Sequence, residues 1–212
     1  MQLHPDLSFC RIGDEFVFLS LAQDRYFTLG HALGEAFSAA LEGSADEHAE
    51  DRLKQRGIVL AGGTGPISAC PADLPKQSLL DQARAPTRVS QILSLSWAFT
   101  RTRSRLRREG LAGPAATLAA ARRSVADPDG DAPLAASVGA YDRLCLLRGA
   151  HDLCLPHSLA LATMLARLGY DAEVVLAVQL RPFAAHCWVE CHRHLVNDRF
   201  DRVRSYTPIR RL

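Results

Sequence analysis

Leu153-Cys154-Leu155-Pro156-His157-Ser158-Leu159-Ala160-Leu161-Ala162-Thr163-Met164-Leu165-Ala166-Arg167-Leu168-Gly169 is the stretch on which the reading of this 212-residue chain turns. Proline is tolerated in the first turn of a helix, where its missing N–H would have no partner anyway. A glycine just past an apolar run is a common stop. The segment therefore predicts a helix that starts within a residue or two of Cys154 and ends at Gly169. A cysteine at a helix start feels the positive end of the dipole and nearby unpaired N–H groups. Both favour the thiolate, the form that attacks carbonyl carbon. Cys154 is on these grounds a candidate nucleophile.

Two strand-like runs follow. Ala172-Glu173-Val174-Val175-Leu176-Ala177-Val178 is apolar enough to be buried on both faces. Ala185-His186-Cys187-Trp188-Val189-Glu190-Cys191 alternates, with His186, Trp188 and Glu190 on one face and Cys187, Val189 and Cys191 on the other. The second face reads as core; the first holds a histidine on a rigid element, where a general base is best positioned. Leu195-Val196-Asn197-Asp198 is expected to continue as a neighbouring strand ending in a carboxylate. Cys154, His186 and Asp198 then supply nucleophile, base and orienting acid. The order alone leaves alternatives open. A buried cysteine is often inert packing, and His151, His157, His192 and His194 compete for the base.

Cys187, Cys191, His192 and His194 also raise a zinc site. Four residues along one strand span roughly 13 Å, whereas tetrahedral zinc holds each sulfur at about 2.3 Å. The two thiols cannot share an ion without a sharp turn, so no metal is expected.

Composition bounds the rest. The chain is 48% apolar and 23% charged, the ordinary globular range, which excludes a disordered, collagenous or coiled-coil chain. The longest run without a charge or glycine is Leu153 to Ala166, fourteen residues, short of the roughly 20 that span a bilayer. Met1-Gln2-Leu3-His4-Pro5-Asp6 lacks the basic and apolar regions of a secretory signal. A cytoplasmic protein is the expectation, and six scattered cysteines do not read as a disulfide scaffold there.

The net charge of +2 conceals a split: residues 1–75 carry −6 and residues 76–212 carry +8. Gly62-Gly63-Thr64-Gly65-Pro66, with Pro71 and Pro75 beyond, interrupts any regular element. The expected organisation is a domain over 1–62, a linker over 63–80 and a larger domain over 81–212. Asp127 to Pro133 reads as a surface loop.

In the first domain Phe16–Leu21 and Tyr26–Leu29 flank the polar turn Ala22–Arg25 and predict a hairpin, with a third strand near Leu7–Ile12. Leu33, Phe37 and Leu41 predict a helix stopped by Gly43. Ser44 and Glu47 read as a capping box opening a second helix that ends at Gly57, with Ile58–Leu60 returning as a short strand. This order suggests a small winged-helix-like unit. Its −6 charge argues against nucleic acid, whose backbone demands cations. An exposed hairpin edge that takes on an extended peptide fits better. Arg25, Tyr26, Phe27 and Thr28, with Arg52 and Arg56 on the second helix, are the candidate contacts. From Ser90 to Arg123 the pattern is helical, and the cluster Arg101, Arg103, Arg105, Arg107 and Arg108 reads as a solvated face.

Cys154-Leu155-Pro156-His157-Ser158-Leu159-Ala160-Leu161, then Arg181-Pro182-Phe183-Ala184-Ala185-His186-Cys187-Trp188-Val189-Glu190, then Leu195-Val196-Asn197-Asp198, resembles the lasso-peptide B proteins. These are transglutaminase-like cysteine proteases of lasso peptide biosynthesis. The first domain is similar to the RiPP recognition element that binds leader peptides, fused here to the protease. The resemblance implies an α+β chain: a three-stranded sheet plus helices, joined to a papain/transglutaminase-like domain with an antiparallel sheet. It implies a leader peptidase whose nucleophile, base and acid are Cys154, His186 and Asp198. Its partners would be a precursor peptide, bound through its leader, and an asparagine-synthetase-like cyclase. No cofactor would be bound; any dependence on ATP would come through the cyclase. His157 departs from the arginine more usual in the family, Cys187 from a small alanine. Asp201 lies close enough to Asp198 to compete for the acid role.

Overall fold

A computed structural model describes residues 1–60, 62–63, 65–82, 86–123, 130, 132–148 and 153–212. The chain divides into two compact units, Met1–Ala72 with Thr207–Arg210, and Asp73–Tyr206 with Arg211–Leu212. Among the described residues no helix is long and apolar enough to cross a membrane.

The first unit begins with β1 (Gln2–Leu3), followed by β2 (Leu7–Ile12), β3 (Glu15–Ser20) and β4 (Arg25–Thr28). Strands β2, β3 and β4 form an antiparallel sheet in that order, with Phe9 opposite Phe18 and Phe18 opposite Phe27. The turn after β3 closes on Asp24, a non-glycine residue at φ +47°, and Arg25 already belongs to β4. Helix α1 (His31–Glu42) and helix α2 (Glu47–Gln55) follow, and β5 (Val59–Leu60) pairs antiparallel with β1. Phe9, Phe16, Phe18 and Phe37 form the core, with Phe37 edge-on to both Phe9 and Phe18 at 5.0 Å.

Helix α1 stops as the sequence predicts, at Gly43 with φ +71°. The start of α2 differs. Its cap is Asp46, whose Oδ1 accepts from Ala49 N–H at 2.7 Å, while Ser44 Oγ donates back to Ala39 O at the end of α1. A carboxylate satisfies the orphan N–H and also complements the helix dipole, so it outcompetes the hydroxyl.

In the second unit a 3₁₀ turn (Leu79–Asp81) precedes α3 (Val89–Glu109), α4 (Ala112–Arg122), α5 (Ala132–Arg148) and α6 (Cys154–Arg167). Then come β6 (Ala172–Leu180), β7 (Phe183–Cys191), β8 (His194–Leu195), the short α7 (Phe200–Val203) and β9 (Thr207–Arg211). The helical pattern read from Ser90 to Arg123 is broken in two at Gly110, whose φ of +63° and ψ of −164° no helix contains. Trp97 on α3 is exposed and carries Arg101 over its ring at 5.3 Å, while Arg105 is tied to Glu109 and Thr117.

Strands β6, β7 and β8 are antiparallel, ordered β8-β7-β6. Both faces of β7 are buried from His186 onward. Trp188 packs with Val175, Ala177, Leu195 and Val203, so the face bearing His186 is core as much as the face bearing Val189. Arg211 bridges Glu173 and Glu190, and Leu212 exchanges backbone hydrogen bonds with Val174.

The expected linker 63–80 is not free spacer along its length. Ser78 is buried, forms a bridge with Leu195, and Gln77 O accepts from Leu195 N–H at 2.9 Å. Most of the expected loop Asp127–Pro133 lies outside the described residues.

Candidate active site

Helix α6 begins at Cys154 itself, with Pro156 in its first turn. The thiol is partly exposed and stands at the helix end where orphan N–H groups and the dipole favour an anion. It contacts two residues of β7, His186 and Cys187. His186 Nε2–H donates to Asp198 Oδ2 at 2.5 Å, which leaves the other ring nitrogen, Nδ1, for the sulfur. The structure thus brings Cys154, His186 and Asp198 together.

Asp198 is not at the end of a strand, as its sequence context suggests. Strand β8 stops at Leu195, and the next residues bend. One backbone bond continues, Val196 N–H to Val189 O at 2.9 Å, and side chains supply the rest. Asn197 Oδ1 accepts from Val189 N–H at 2.7 Å, and Ser78 Oγ donates to Asp198 O at 2.6 Å. Arg199 N–H donates to Asp198 Oδ1 at 2.8 Å, leaving Oδ2 turned to the imidazole. Asn197 Nδ2 also donates to Ser158 Oγ at 2.9 Å, and Ser158 donates to Cys187 O at 3.4 Å. One buried chain of hydrogen bonds therefore joins the acid's loop to the nucleophile's helix. Sequence reasoning missed Asn197, Ser158 and Ser78 as positioning residues. The available signal was spacing, since Ser158 lies four residues beyond Cys154 and so on the same helix face.

The electrostatics follow from these contacts. Hydrogen bonding from the Cys187 thiol is the largest influence lowering Cys154; burial opposes it, and the His186 hydrogen bond and charge add to the lowering. Burial alone would push His186 down, but its bonds to Asp198 and Cys154 outweigh that and raise it to about 9. Cys187 moves well above the ordinary thiol range because it donates to Cys154 and is buried. At neutral pH the centre is a thiolate beside an imidazolium, with Cys187 a neutral donor.

The competing residues lie elsewhere. His157 is buried and stacked on Phe99 at 4.1 Å. His192 sits in the turn after β7 at φ +48°, edge-on to Tyr170. His194 Nδ1–H donates to His192 O, and Nε2 lies 3.1 Å from Gln77 Oε1. His151 lies outside the described residues. Asp201 is exposed and pairs with Arg204. Cys187 and Cys191 occupy one extended strand, and among the described residues no three His, Cys, Asp or Glu side chains are grouped to hold a metal.

In the first unit a groove of about 520 Å³ is lined by Arg25, Phe27, Thr28 and Arg56, four of the six candidate peptide contacts. Tyr26 and Arg52 are not among its walls. Phe27 also stacks on Phe18 at 5.3 Å, so it belongs to both the core and the groove. Within its sheet β4 is an edge strand, paired on one side only.

A thiolate at a helix start, an imidazole beside it and a carboxylate behind the ring define a thiol centre for attack on acyl carbon. The transglutaminase-like superfamily model matches residues 95–211, more than half the chain and all three of these residues; the chain belongs to that superfamily. The superfamily includes cysteine peptidases. No curated protein and no solved structure matches the chain.

Proposed function

We propose that the protein is a cysteine endopeptidase that removes the leader from a ribosomally made lasso precursor peptide. The observation that carries this reading is the convergence of Cys154, His186 and Asp198 within a transglutaminase-like domain. Cys154 attacks the carbonyl at the leader–core junction. The leader's C-terminal end becomes a thioester, His186 delivers a proton to the departing core amine, and water then releases the leader. The Cys154 backbone N–H at the helix start faces the developing oxyanion.

In this reading the first unit is a winged-helix-like recognition element. The leader adds as a strand to the edge of β4, with Arg25, Phe27, Thr28 and Arg56 in the groove beside it and Tyr26 and Arg52 further contacts. Holding the leader raises the local concentration of the scissile bond. The freed core amine is then the substrate of an asparagine-synthetase-like cyclase, which activates a side-chain carboxyl with ATP. The protein itself would act in the cytoplasm without a bound cofactor.

The test is mass spectrometry of a lasso precursor incubated with the protein. Two fragments whose masses sum to precursor plus one water are expected, and Cys154→Ala should abolish them. Loss of ammonia from an intact precursor would instead indicate acyl transfer to an amine. Cleavage that persists in Cys154→Ala would remove the nucleophile assignment, and no cleavage by the unaltered protein would leave a peptide-binding adaptor.

A further inference from the structure

The centre contains one sulfur more than a Cys–His–Asp mechanism uses. Cys187 is only 3% exposed, sits on β7 next to His186, and is held against the start of α6 by Ser158, which lies one turn from Cys154 and donates to Cys187 O at 3.4 Å; its thiol faces the Cys154 sulfur as a donor. Cys154 is the partly exposed member of the pair. Its neighbour is therefore shielded from solvent yet directly against the group that solvent reaches. In the reduced protein all six cysteines are free thiols.

We propose that Cys154 and Cys187 form a peroxide-oxidisable pair, in which Cys187 resolves oxidation of Cys154 as a reversible disulfide. The chemistry balances with hydroperoxide as the only co-reactant. The Cys154 thiolate attacks one peroxide oxygen, the O–O bond breaks, and Cys154 becomes a sulfenic acid as hydroxide leaves. The Cys187 sulfur then attacks the sulfenic sulfur and the S–O bond breaks. With the Cys187 proton the departing hydroxide forms water. Two thiols have lost two electrons and hydrogen peroxide has become two waters.

The arrangement fits such a resolver in two respects. The attacking sulfur of Cys154 is the one favoured as thiolate, and thiolate character with access governs which cysteine oxidises first. The resolving sulfur is already in contact, so the second step needs no large movement of α6 or β7. Capture as a disulfide also stops Cys154 from proceeding to sulfinic and sulfonic acids, which ordinary thiol reductants do not reverse.

Oxidation of the full-length protein with one equivalent of hydrogen peroxide tests this directly. Intact mass should fall by two hydrogens, and a non-reducing peptide map should join the Cys154 and Cys187 peptides. Iodoacetamide labelling of Cys154 should disappear and return after dithiothreitol. Cys187→Ala, given three or more equivalents of peroxide, should accumulate two or three oxygens on Cys154 and fail to recover its label, whereas the unaltered protein under the same excess stops at the disulfide. A map showing Cys154 as sulfinic acid in the unaltered protein, or a disulfide only between other cysteines such as Cys10 and Cys70, would overturn the proposal. None of these readouts needs a peptide substrate, so they stand apart from the cleavage assay: leader cleavage can fail while the cystine forms, and the reverse.

Discussion

At Cys154 the decisive quantity is its charge, and three neighbours set it. Donation from Cys187, the imidazolium of His186 and the helix start all favour the thiolate against burial. His186 in turn is held protonated to about 9 by Asp198 and Cys154. The signs fix the pH profile. Cleavage should rise through the acid range as Cys154 loses its proton below the ordinary thiol range. It should hold through neutrality, and fall as His186 deprotonates near pH 9. Asp198→Asn removes the charge that raises His186, so the alkaline limb should move to lower pH. The rate should drop on the order of 10²- to 10⁴-fold, because the ring loses its orienting acceptor. A pH series of kcat/KM on both proteins checks this, and an unmoved alkaline limb would contradict the role given to Asp198. Cys154 and His186 were legible in the sequence because proline placement and strand alternation set their positions, whereas Asp198, expected at a strand end, sits on a bend. Cys187 as a partner of Cys154 was not legible, since alternation assigns it to the face opposite His186 and gives no hint that one thiol meets both.

Helices and strands were legible where a periodic pattern ran uninterrupted, and less so where a single side chain overrode it. Strand β8 is two residues long rather than reaching Asp198, because Asn197 takes the Val189 N–H with its side chain and turns the backbone away. The cap of α2 moved from Ser44 to Asp46 for an equally local reason. The break between α3 and α4 is a backbone matter. Gly110 lies at φ +63° and ψ −164°, a region nearly reserved for glycine, and a Cβ there would meet nothing within 4 Å. The whole cost of Gly110→Ala is therefore conformational, about 1–3 kcal/mol. Thermal denaturation should show a lower Tm. An unchanged Tm would mean the helices can rejoin as the one long helix the apolar pattern suggests.

The whole molecule keeps two different surfaces on one chain, an acidic first part and a basic remainder, and the division of labour proposed for them is separable by kinetics. Reversing Arg25 and Arg56 to Glu in the groove of the first unit should weaken leader binding without touching the thiol centre. KM for a leader-bearing precursor should rise about tenfold while kcat stays within about a factor of two. A fall in kcat at unchanged KM would contradict the recognition role. That the chain has two parts was visible in its charge and in the glycine–proline run. Where the second part begins was not, because Gln77 and Ser78 look like any polar spacer until Leu195 and Asp198 fold onto them.

The Ser78 hydroxyl carries a practical lesson for anyone trimming this protein. A shortened version begun at residue 81 would retain nucleophile, base and acid in its sequence, yet lack the donor that fastens the carbonyl of Asp198. Such a truncation could lose turnover merely because the aspartate drifts. Its silence would then be mistaken for proof that the first unit switches catalysis on. Beginning at Asp73 instead preserves that fastening.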